Sequence, residues 1–350
     1  MSREWWRTKG SIRNTRSGSR DRQAVVMTLP QSRRLDFSEI PILNVGPLVA
    51  GRYEQTLINA LDRACSDVGF FYVCNHGVDQ SLIEAVYRDA QTFFCAPMNE
   101  KMEVVIDTRI RGYYPANRSY SAEHLIEGEN RAGISHKEGF WIAHERPRSD
   151  HALLHGPNQW PASHPALKQS MMAYFAAVET FANQLLRGFA LALGLESSQL
   201  DSLFQTPMTS LLINHYPPQA NPTADNDIGL VPHADAGGFT ILWQDDNGGL
   251  EIQNKNGEWV GAPPIENTFV INIGNVMQMW TNGRFSSTPH RVINRGRRDR
   301  YSIPLFVNPS YDTDVKPLID LEHGNTSSFT YGPYQRDVWR QTFPIANIPD

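Results

Sequence analysis

The sequence has few cysteines, no long apolar run and no large excess of charge of either sign. Cys65, Cys74 and Cys95 are odd in number and have no CxxC spacing, which excludes a disulfide framework and indicates a reducing compartment. No apolar run approaches the roughly 20 residues that span a bilayer. A formal net charge of −5 over 350 residues is not the basic balance of a nucleic-acid-binding protein. We therefore expect a cytoplasmic protein with no nucleic-acid or membrane partner; composition does not determine its oligomeric state.

Residues 1–34 differ from the rest of the chain. They are rich in Arg, Ser and Gly and have no apolar periodicity, which predicts a disordered N-terminal tail. An organellar transit peptide is the alternative, although Glu4 and Asp21 are unusual in such a peptide. Met27 is a second candidate start of the chain.

No strong linker interrupts residues 35–350, so the sequence predicts a single domain there. Residues 35–200 are helix-rich, with helical spacing over Tyr53–Val68, Leu82–Phe94 and His164–Leu195. Residues 109–161 mix aromatics, glycines and prolines with charges, as a long functional loop does. Residues 316–350 form a C-terminal extension.

Residues 201–315 consist of short apolar segments separated by Gly, Asn and Asp. The predicted strands are Leu211–Tyr216, Thr240–Trp243, Leu250–Gln253, Thr268–Ile273, Val276–Trp280, Arg291–Asn294 and Tyr301–Val307. Many short strands in succession are typical of a jelly roll. We predict an α+β fold in which N-terminal helices flank a double-stranded β-helix.

Polar pairs two residues apart occur on three of the predicted strands or strand ends. Residues i and i+2 of a strand face the same way, and the inner face of a small barrel is normally apolar, so polar pairs there need a purpose. One pair could arise by chance, whereas three favour a binding site. The pairs are Asn214 and Tyr216, His233 and Asp235, and Arg300 and Ser302.

Two histidines and one carboxylate have the composition of the facial triad that binds non-haem Fe(II) and leaves coordination positions open. His233 and Asp235 would come from one strand and His290 from a later one. An isolated H-x-D pair is most often an ordinary loop pair, and a lone histidine is most often a core residue. Together with the other polar pairs, these three residues favour a metal site.

Arg300 and Ser302 are candidates for binding a carboxylate. Arginine offers a planar fork of donors and serine adds a hydroxyl. Arg300 could instead be a solvated residue of the basic run 295–300, but an apolar strand begins beside it.

In order and spacing, the sequence resembles the 2-oxoglutarate/Fe(II)-dependent dioxygenases of the isopenicillin-N-synthase-like family. The resemblance extends from about Leu35 to the C-terminus. The matching segments are residues 69–73, 75–78, 93–94, 97, 100–101, 214–218, 233–235, 248–250, 272–274, 290–292 and 300–302. The departures, Asn275 where many members carry Asp and Ala234 where Thr is common, affect no ligand position.

The resemblance implies a jelly-roll enzyme that uses Fe(II), 2-oxoglutarate and O2, with ascorbate as an expected stimulant. It implies that His233, Asp235 and His290 bind iron and that Arg300 and Ser302 bind the distal carboxylate of 2-oxoglutarate. Asn214 and Tyr216 would line the cosubstrate site. The expected reaction oxidises an unactivated C–H bond of a small molecule, as in secondary metabolism, and releases succinate and CO2. Hydroxylation is expected, with desaturation or ring chemistry as alternatives.

A carboxylate at Asp235 argues against halogenation, because related halogenases lack it so that chloride can bind iron. The candidate substrate-pocket residues are aromatic, although core packing is an equally good interpretation of each. They are Tyr113, Tyr114, Phe140, Trp141 and Phe306.

Three other interpretations remain open at this point. One is an iron oxidase of the same fold that does not use 2-oxoglutarate. Another is a non-catalytic small-molecule-binding protein. The third is a cupin-type barrel that binds zinc or manganese.

Overall fold

The structure is a computed structural model that describes residues 39–116, 135–149, 152–218, 228–294, 298–319 and 327–349. The predicted tail at residues 1–34 and the alternative start at Met27 lie outside these ranges.

Short strands are the most frequent regular elements of the described residues after residue 200. The strands of the described ranges are β1 (Ile42–Asn44), β2 (Phe70–Cys74), β3 (Gly112–Tyr114), β4 (Glu138–Ala143), β5 (Ser210–Tyr216), β6 (Ile228–His233), β7 (Phe239–Gln244), β8 (Leu250–Gln253), β9 (Trp259–Gly261), β10 (Thr268–Ile273), β11 (His290–Ile293), β12 (Arg300–Val307), β13 (Asp314–Val315) and β14 (Phe329–Thr330).

Within the described ranges, β13 and β14 form a two-stranded sheet of their own. The other strands form two larger sheets, one of eight strands in the order β1-β2-β10-β7-β12-β5-β4-β3 and one of four in the order β6-β11-β8-β9. β1 and β2 are parallel, and the other pairs in the two sheets are antiparallel. This arrangement and the flanking helices confirm the predicted α+β class with a jelly-roll core.

Helices precede most of the strands in the sequence. They are α1 (Gly46–Val49), α2 (Gln55–Arg63), α3 (Gln80–Phe94), α4 (Met98–Met102), α5 (Pro165–Ala192), α6 (Asn275–Trp280) and α7 (Tyr331–Thr342). A π-helical turn, Ala64–Val68, extends α2. No helix in the described part of the chain is both long enough and apolar enough to cross a membrane.

The long helix α5 organises the helical layer, because α1, α2 and α3 all contact it. Its buried side includes Tyr174, Val178, Phe181 and Leu185, which recur at three- and four-residue spacing. The helix α3 begins at a capped end, where the Asp79 carboxylate accepts a hydrogen bond from Ser81 N at 2.8 Å. Apolar periodicity therefore accounts for α5, and a capping residue accounts for the start of α3.

The sequence pattern predicts a strand over Val276–Trp280, and this prediction is wrong. Residues 275–280 form helix α6, and all six are buried. A short segment that is buried on every side has neither helical nor strand periodicity, so the pattern could not distinguish the two.

The segment 109–161, which the sequence predicts to be a loop, contains two strands. β3 and β4 add to the edge of the eight-stranded sheet beside β5. Every residue of β4 is buried, so the alternation of polar and apolar residues that marks a half-exposed strand is missing.

Candidate metal centre

Three of the predicted residues converge at the end of the smaller sheet. His233 is the last residue of β6 and His290 is the first residue of β11, and the two are partners in the β6–β11 ladder. Asp235 follows in the loop after β6. One ligand atom from each of His233, Asp235 and His290 lies within 4.8 Å of the others, a grouping that could hold a metal ion.

Both imidazoles are held by hydrogen bonds to the main chain. Nδ1 of His233 lies 2.9 Å from the Val231 carbonyl oxygen, and Nδ1 of His290 lies 3.2 Å from that of Thr288. Because a carbonyl oxygen only accepts, each Nδ1 carries a proton, and each Nε2 is the nitrogen left for a metal ion. The Nε2 atoms of His233 and His290 lie 3.7 and 3.9 Å from Asp235 Oδ1, so the three possible metal-ligand atoms face one point.

Asp235 uses one oxygen for the protein and has the other directed at the histidines. Its Oδ2 accepts hydrogen bonds from Thr240 Oγ1 and, at 2.7 Å, from Asn272 Nδ2. Burial alone would raise the pKa of Asp235, but the two histidines and these hydrogen bonds hold it below the ordinary value. Burial lowers the pKa of His233 to about 3, with His290 contributing in the same direction. The site therefore presents a carboxylate beside a neutral His233 imidazole.

Asp235 lies beyond the end of β6, so the strand itself does not hold its carboxylate beside the two histidines. β6 ends at His233, so the expected alignment of residues i and i+2 on one strand does not place the carboxylate. The loop is held instead by the start of α6, where Asn275 N donates to the Asp235 carbonyl oxygen at 2.8 Å. The three residues come together as predicted, but a loop contact positions the carboxylate.

Arg300, on β12, is 1 % exposed and lies over the Tyr216 ring at 4.7 Å. Its Nε donates to the Gly248 carbonyl oxygen at 2.5 Å and its Nη2 to Gln244 Oε1 at 3.3 Å. Its Nη1 is buried and has no hydrogen-bond partner in the described part of the chain. A buried cationic donor without a partner is costly, which indicates a place for an anion.

The other predicted polar residues lie beside Arg300 in register. On β5, Tyr216 pairs with Arg300 and Asn214 with Ser302. Asn214 Nδ2 lies 3.4 Å from Ser302 Oγ. All four side chains line one pocket, which also contains His233, Asp235 and His290.

The five aromatic candidates lie in three different places. Trp141 and Phe306 line the pocket and stack on each other at 5.5 Å with a 13° angle between their planes. Tyr113 and Phe140 do not line it. Successive residues of a strand face opposite ways, and these two pack against Phe93 in the core. Tyr114 lies behind the wall, where its hydroxyl donates to Asn214 Oδ1 at 3.0 Å.

Several pocket residues were not predicted from the sequence. Lys137 lines the wall just before β4, and Gln335, Trp339 and Phe343 approach from α7 and the residue after it. Thr240 and Asn272, which bind Asp235, are polar residues within otherwise apolar strands. A polar residue inside a predicted apolar strand was the sequence feature that could have identified Thr240 and Asn272.

The donor set fits a first-row metal that accepts nitrogen and oxygen ligands. Two imidazole nitrogens and one carboxylate oxygen on one side leave the remaining positions to other ligands, which is the pattern of non-haem Fe(II) oxygenases. The unpartnered Nη1 of Arg300 in the same pocket fits an additional anionic ligand. Both features match the groups expected from the sequence.

Comparison with known proteins supports the same family from two parts of the chain. Residues 208–309 match the sequence profile of the 2OG-Fe(II) oxygenase superfamily. Residues 40–163 match the N-terminal profile described as non-haem dioxygenase in morphine synthesis.

Individual relatives cover most of the chain. It is 31 % identical over 300 residues to homoarginine-6-hydroxylase of Glycine max, covering 81 % of this chain and 89 % of that protein. It is 33 % identical over 295 residues to a 2-oxoglutarate-Fe(II) type oxidoreductase of Metarhizium rileyi, covering 77 % of each. Among solved structures, a full-length protein of Neurospora crassa in complex with alpha-KG and thymine aligns with a TM-score of 0.74 at 26 % identity, covering 86 % of this chain and 96 % of that one.

Proposed function

The chain belongs to the 2OG-Fe(II) oxygenase superfamily, and from this premise we propose that His233, Asp235 and His290 bind its Fe(II). The observation that carries the proposal is the convergence of their three donor atoms within 4.8 Å. Iron bound there supplies the redox chemistry by which O2 oxidises 2-oxoglutarate and a C–H bond. The protein is thus a 2-oxoglutarate-dependent dioxygenase, and these residues are its proposed metal ligands.

Arg300 and Ser302 are the proposed ligands of the distal carboxylate of 2-oxoglutarate. Nε and Nη2 of Arg300 bond to the protein, which fixes the guanidinium plane and leaves Nη1 for the cosubstrate. Asn214 and Tyr216 line the same region. This cationic cradle supports the use of 2-oxoglutarate over the alternative of an oxidase that does without it.

The proposed substrate is a small organic molecule that is hydroxylated while succinate and CO2 are released. Trp141 and Phe306 form one apolar wall of the pocket, and Trp339 and Phe343 contribute from the C-terminal region. These side chains would position the reacting C–H bond toward the iron and exclude water from it. The names of the relatives fit this class, since one is a homoarginine hydroxylase and one structure contains thymine.

The metal site is tested with Asp235→Ala and His290→Ala. We expect each to lower Fe(II) affinity by more than about 100-fold, since loss of a group that merely orients a ligand costs about 10- to 100-fold. The measurement is anaerobic Fe(II) titration with 2-oxoglutarate present, following the metal-to-ligand absorption band. Asp246→Ala, at an exposed carboxylate, is the matched control. Wild-type affinity in either ligand variant would refute the assignment.

The cosubstrate site is tested with Arg300→Lys, which keeps the charge but removes the planar fork. We expect the Kd of 2-oxoglutarate to rise about 10- to 100-fold, the range for a lost hydrogen bond to a charged group. Arg298→Lys, exposed and two residues away, should leave the Kd unchanged. An unchanged Kd in Arg300→Lys would assign the distal carboxylate elsewhere.

A further inference from the structure

Lys137 is a second buried cation in the pocket, in addition to Arg300. Its side chain lines the pocket wall, and the residue is only 6 % exposed. Its Nζ donates to Asn214 Oδ1 at 2.7 Å and lies 5.7 Å from the centroid of the Tyr114 ring. An ammonium has three donors, so a single hydrogen bond leaves it capacity for another ligand.

No carboxylate of the described residues forms an ion pair with Lys137. The adjacent Glu138 is bonded to Lys101, His215 and Tyr113. Asp235 is bonded to Thr240 and Asn272 and faces the two histidines. A buried ammonium without a counter-ion is unfavourable, so this position has a reason other than stability.

The pKa of Lys137 is consistent with a role in binding an anion. Burial lowers its pKa from 10.5 to about 7, and Arg300 acts in the same direction against the opposite influence of Asp235. An anion arriving beside the ammonium would favour its charged form. Binding of an anionic ligand would therefore raise the pKa of Lys137 again and restore its full charge.

A count of charges indicates that the charge of 2-oxoglutarate is balanced without this cation. Fe(II) with one carboxylate ligand keeps one positive charge, and Arg300 contributes a second. The two carboxylates of 2-oxoglutarate balance both. The charge of Lys137 is then in excess, and a singly charged substrate would neutralise it.

We propose that Lys137 is a specificity-determining residue that binds a carboxylate of the substrate, whose apolar part lies against Trp141 and Phe306. Lys137, just before β4, and Trp141, within it, both line the pocket, and four residues of extended chain span about 13 Å. The substrate class is thus a carboxylic acid with an apolar body. This inference rests on the proposed function, because it assumes that the pocket is the active site.

The test compares acids with neutral counterparts of nearly the same shape. The probes are phenylacetic, 3-phenylpropanoic and cyclohexylacetic acids, each paired with its primary amide, with thymine as a further neutral compound. Each is titrated anaerobically into the full-length Fe(II)·2-oxoglutarate protein. Binding is read from the perturbation of the absorption band, and succinate release in air is measured alongside.

We expect the wild type to bind at least one acid about 10-fold or more tightly than its amide, the minimum for a hydrogen bond to a charged group. Lys137→Met should abolish that preference, and Lys137→Arg should retain part of it. The Kd of 2-oxoglutarate should change less than about 2-fold in both. Lys316→Met, at an exposed lysine, is the matched control. Melting of the metal-free variants shows whether they fold.

Three results would overturn the inference in different ways. If Lys137→Met raises the Kd of 2-oxoglutarate 10-fold and keeps the acid preference, the ammonium serves the cosubstrate. If wild type forms the absorption band but binds no acid better than its amide, the substrate class is wrong. If wild type forms no absorption band at all, the proposed iron site is wrong, and the inference about Lys137, which depends on that site, is refuted as well.

Discussion

Three charged side chains of the pocket tolerate burial by different means. Asp235 is held by two hydrogen-bond donors and two histidines, and Arg300 by a carbonyl, an amide and an aromatic ring. Lys137 has one amide oxygen and, at 5.7 Å from its Nζ, the Tyr114 ring. Because unpaired buried charge costs free energy, the three differ in how much they reduce stability. Lys137 is the least compensated of the three in these contacts.

Replacing Lys137 with Met should stabilise the metal-free protein. Its pKa falls from 10.5 in the unfolded chain to about 7 in the fold, so between these values the unfolded state binds more protons. The destabilisation is complete below about pH 7 and disappears as pH rises toward 10.5. We expect a Tm gain of about 3 °C at about pH 6 and a smaller gain at about pH 9.5. Equal gains at both pH values, or a loss at pH 6, would contradict this.

Asn272 should affect Fe(II) affinity although it is not a proposed iron ligand. Its Nδ2 holds Asp235 Oδ2, which leaves Oδ1 aimed at the histidines. Asn272→Ala should lower Fe(II) affinity about 10- to 100-fold, as loss of ligand-orienting groups does. Asn59→Ala, exposed on α2, provides the control, and Fe(II) titration is the measurement. An affinity equal to that of wild type would mean that the carboxylate keeps its position without Asn272.

At the scale of elements, the junction between β10 and α6 supports the metal site. Gly274 lies there, and a Cβ at this position would come 2.3 Å from the Gly237 carbonyl oxygen and 3.1 Å from that of Asp235. A backbone atom cannot yield as the end of a flexible side chain can. The loop that carries Asp235 therefore depends on glycine at residue 274.

Gly274→Ala should displace this loop. We expect lower Tm and weaker Fe(II) binding together, by about 10-fold or more in affinity. Gly261→Ala is the matched control, because a Cβ there meets no atom within 4 Å. Thermal melting and Fe(II) titration separate the two effects. A Gly274→Ala protein with wild-type iron affinity would show that the loop adapts.

The predictions of elements succeeded or failed for identifiable reasons. Leu250–Gln253 and Thr268–Ile273 have in the structure the bounds that the sequence predicts, because Gly and Asn residues typical of turns flank both segments. The strand prediction over Val276–Trp280 failed because burial on every side leaves no helical or strand periodicity to detect. β4 failed because it is buried throughout, and Lys137 beside it lies in the segment predicted to be a loop.

For the whole molecule, the N-terminal part and the jelly roll share a sheet. β2 belongs to the N-terminal part and β10 to the jelly roll, and the two strands pair side by side. Helices α2 and α3 pack on α5, which also contacts β12. The prediction that residues 35–350 form one domain, made up of parts 35–200, 201–315 and 316–350, therefore has a physical basis that can be tested.

A fragment of residues 208–350 should not fold alone, because removing β2 exposes one edge of β10 and the apolar face that α5 covers. The longer chain of residues 35–350 should unfold in one transition in urea, with circular dichroism and tryptophan fluorescence coinciding. A cooperative transition in the short fragment, or two transitions in the long chain, would show that the two parts are separate domains.

The sequence by itself determined the family, the jelly-roll class and the choice of the five central candidate residues. His233, Asp235, His290, Arg300 and Ser302 have distinctive chemistry and fall within short motifs. Only the tertiary structure decided what surrounds them. It showed that a loop contact presents Asp235, that Tyr113 and Phe140 face the core, and that Lys137 enters the pocket. These facts depend on which strands are neighbours and which way each side chain points, and such long-range relations leave little local pattern to read.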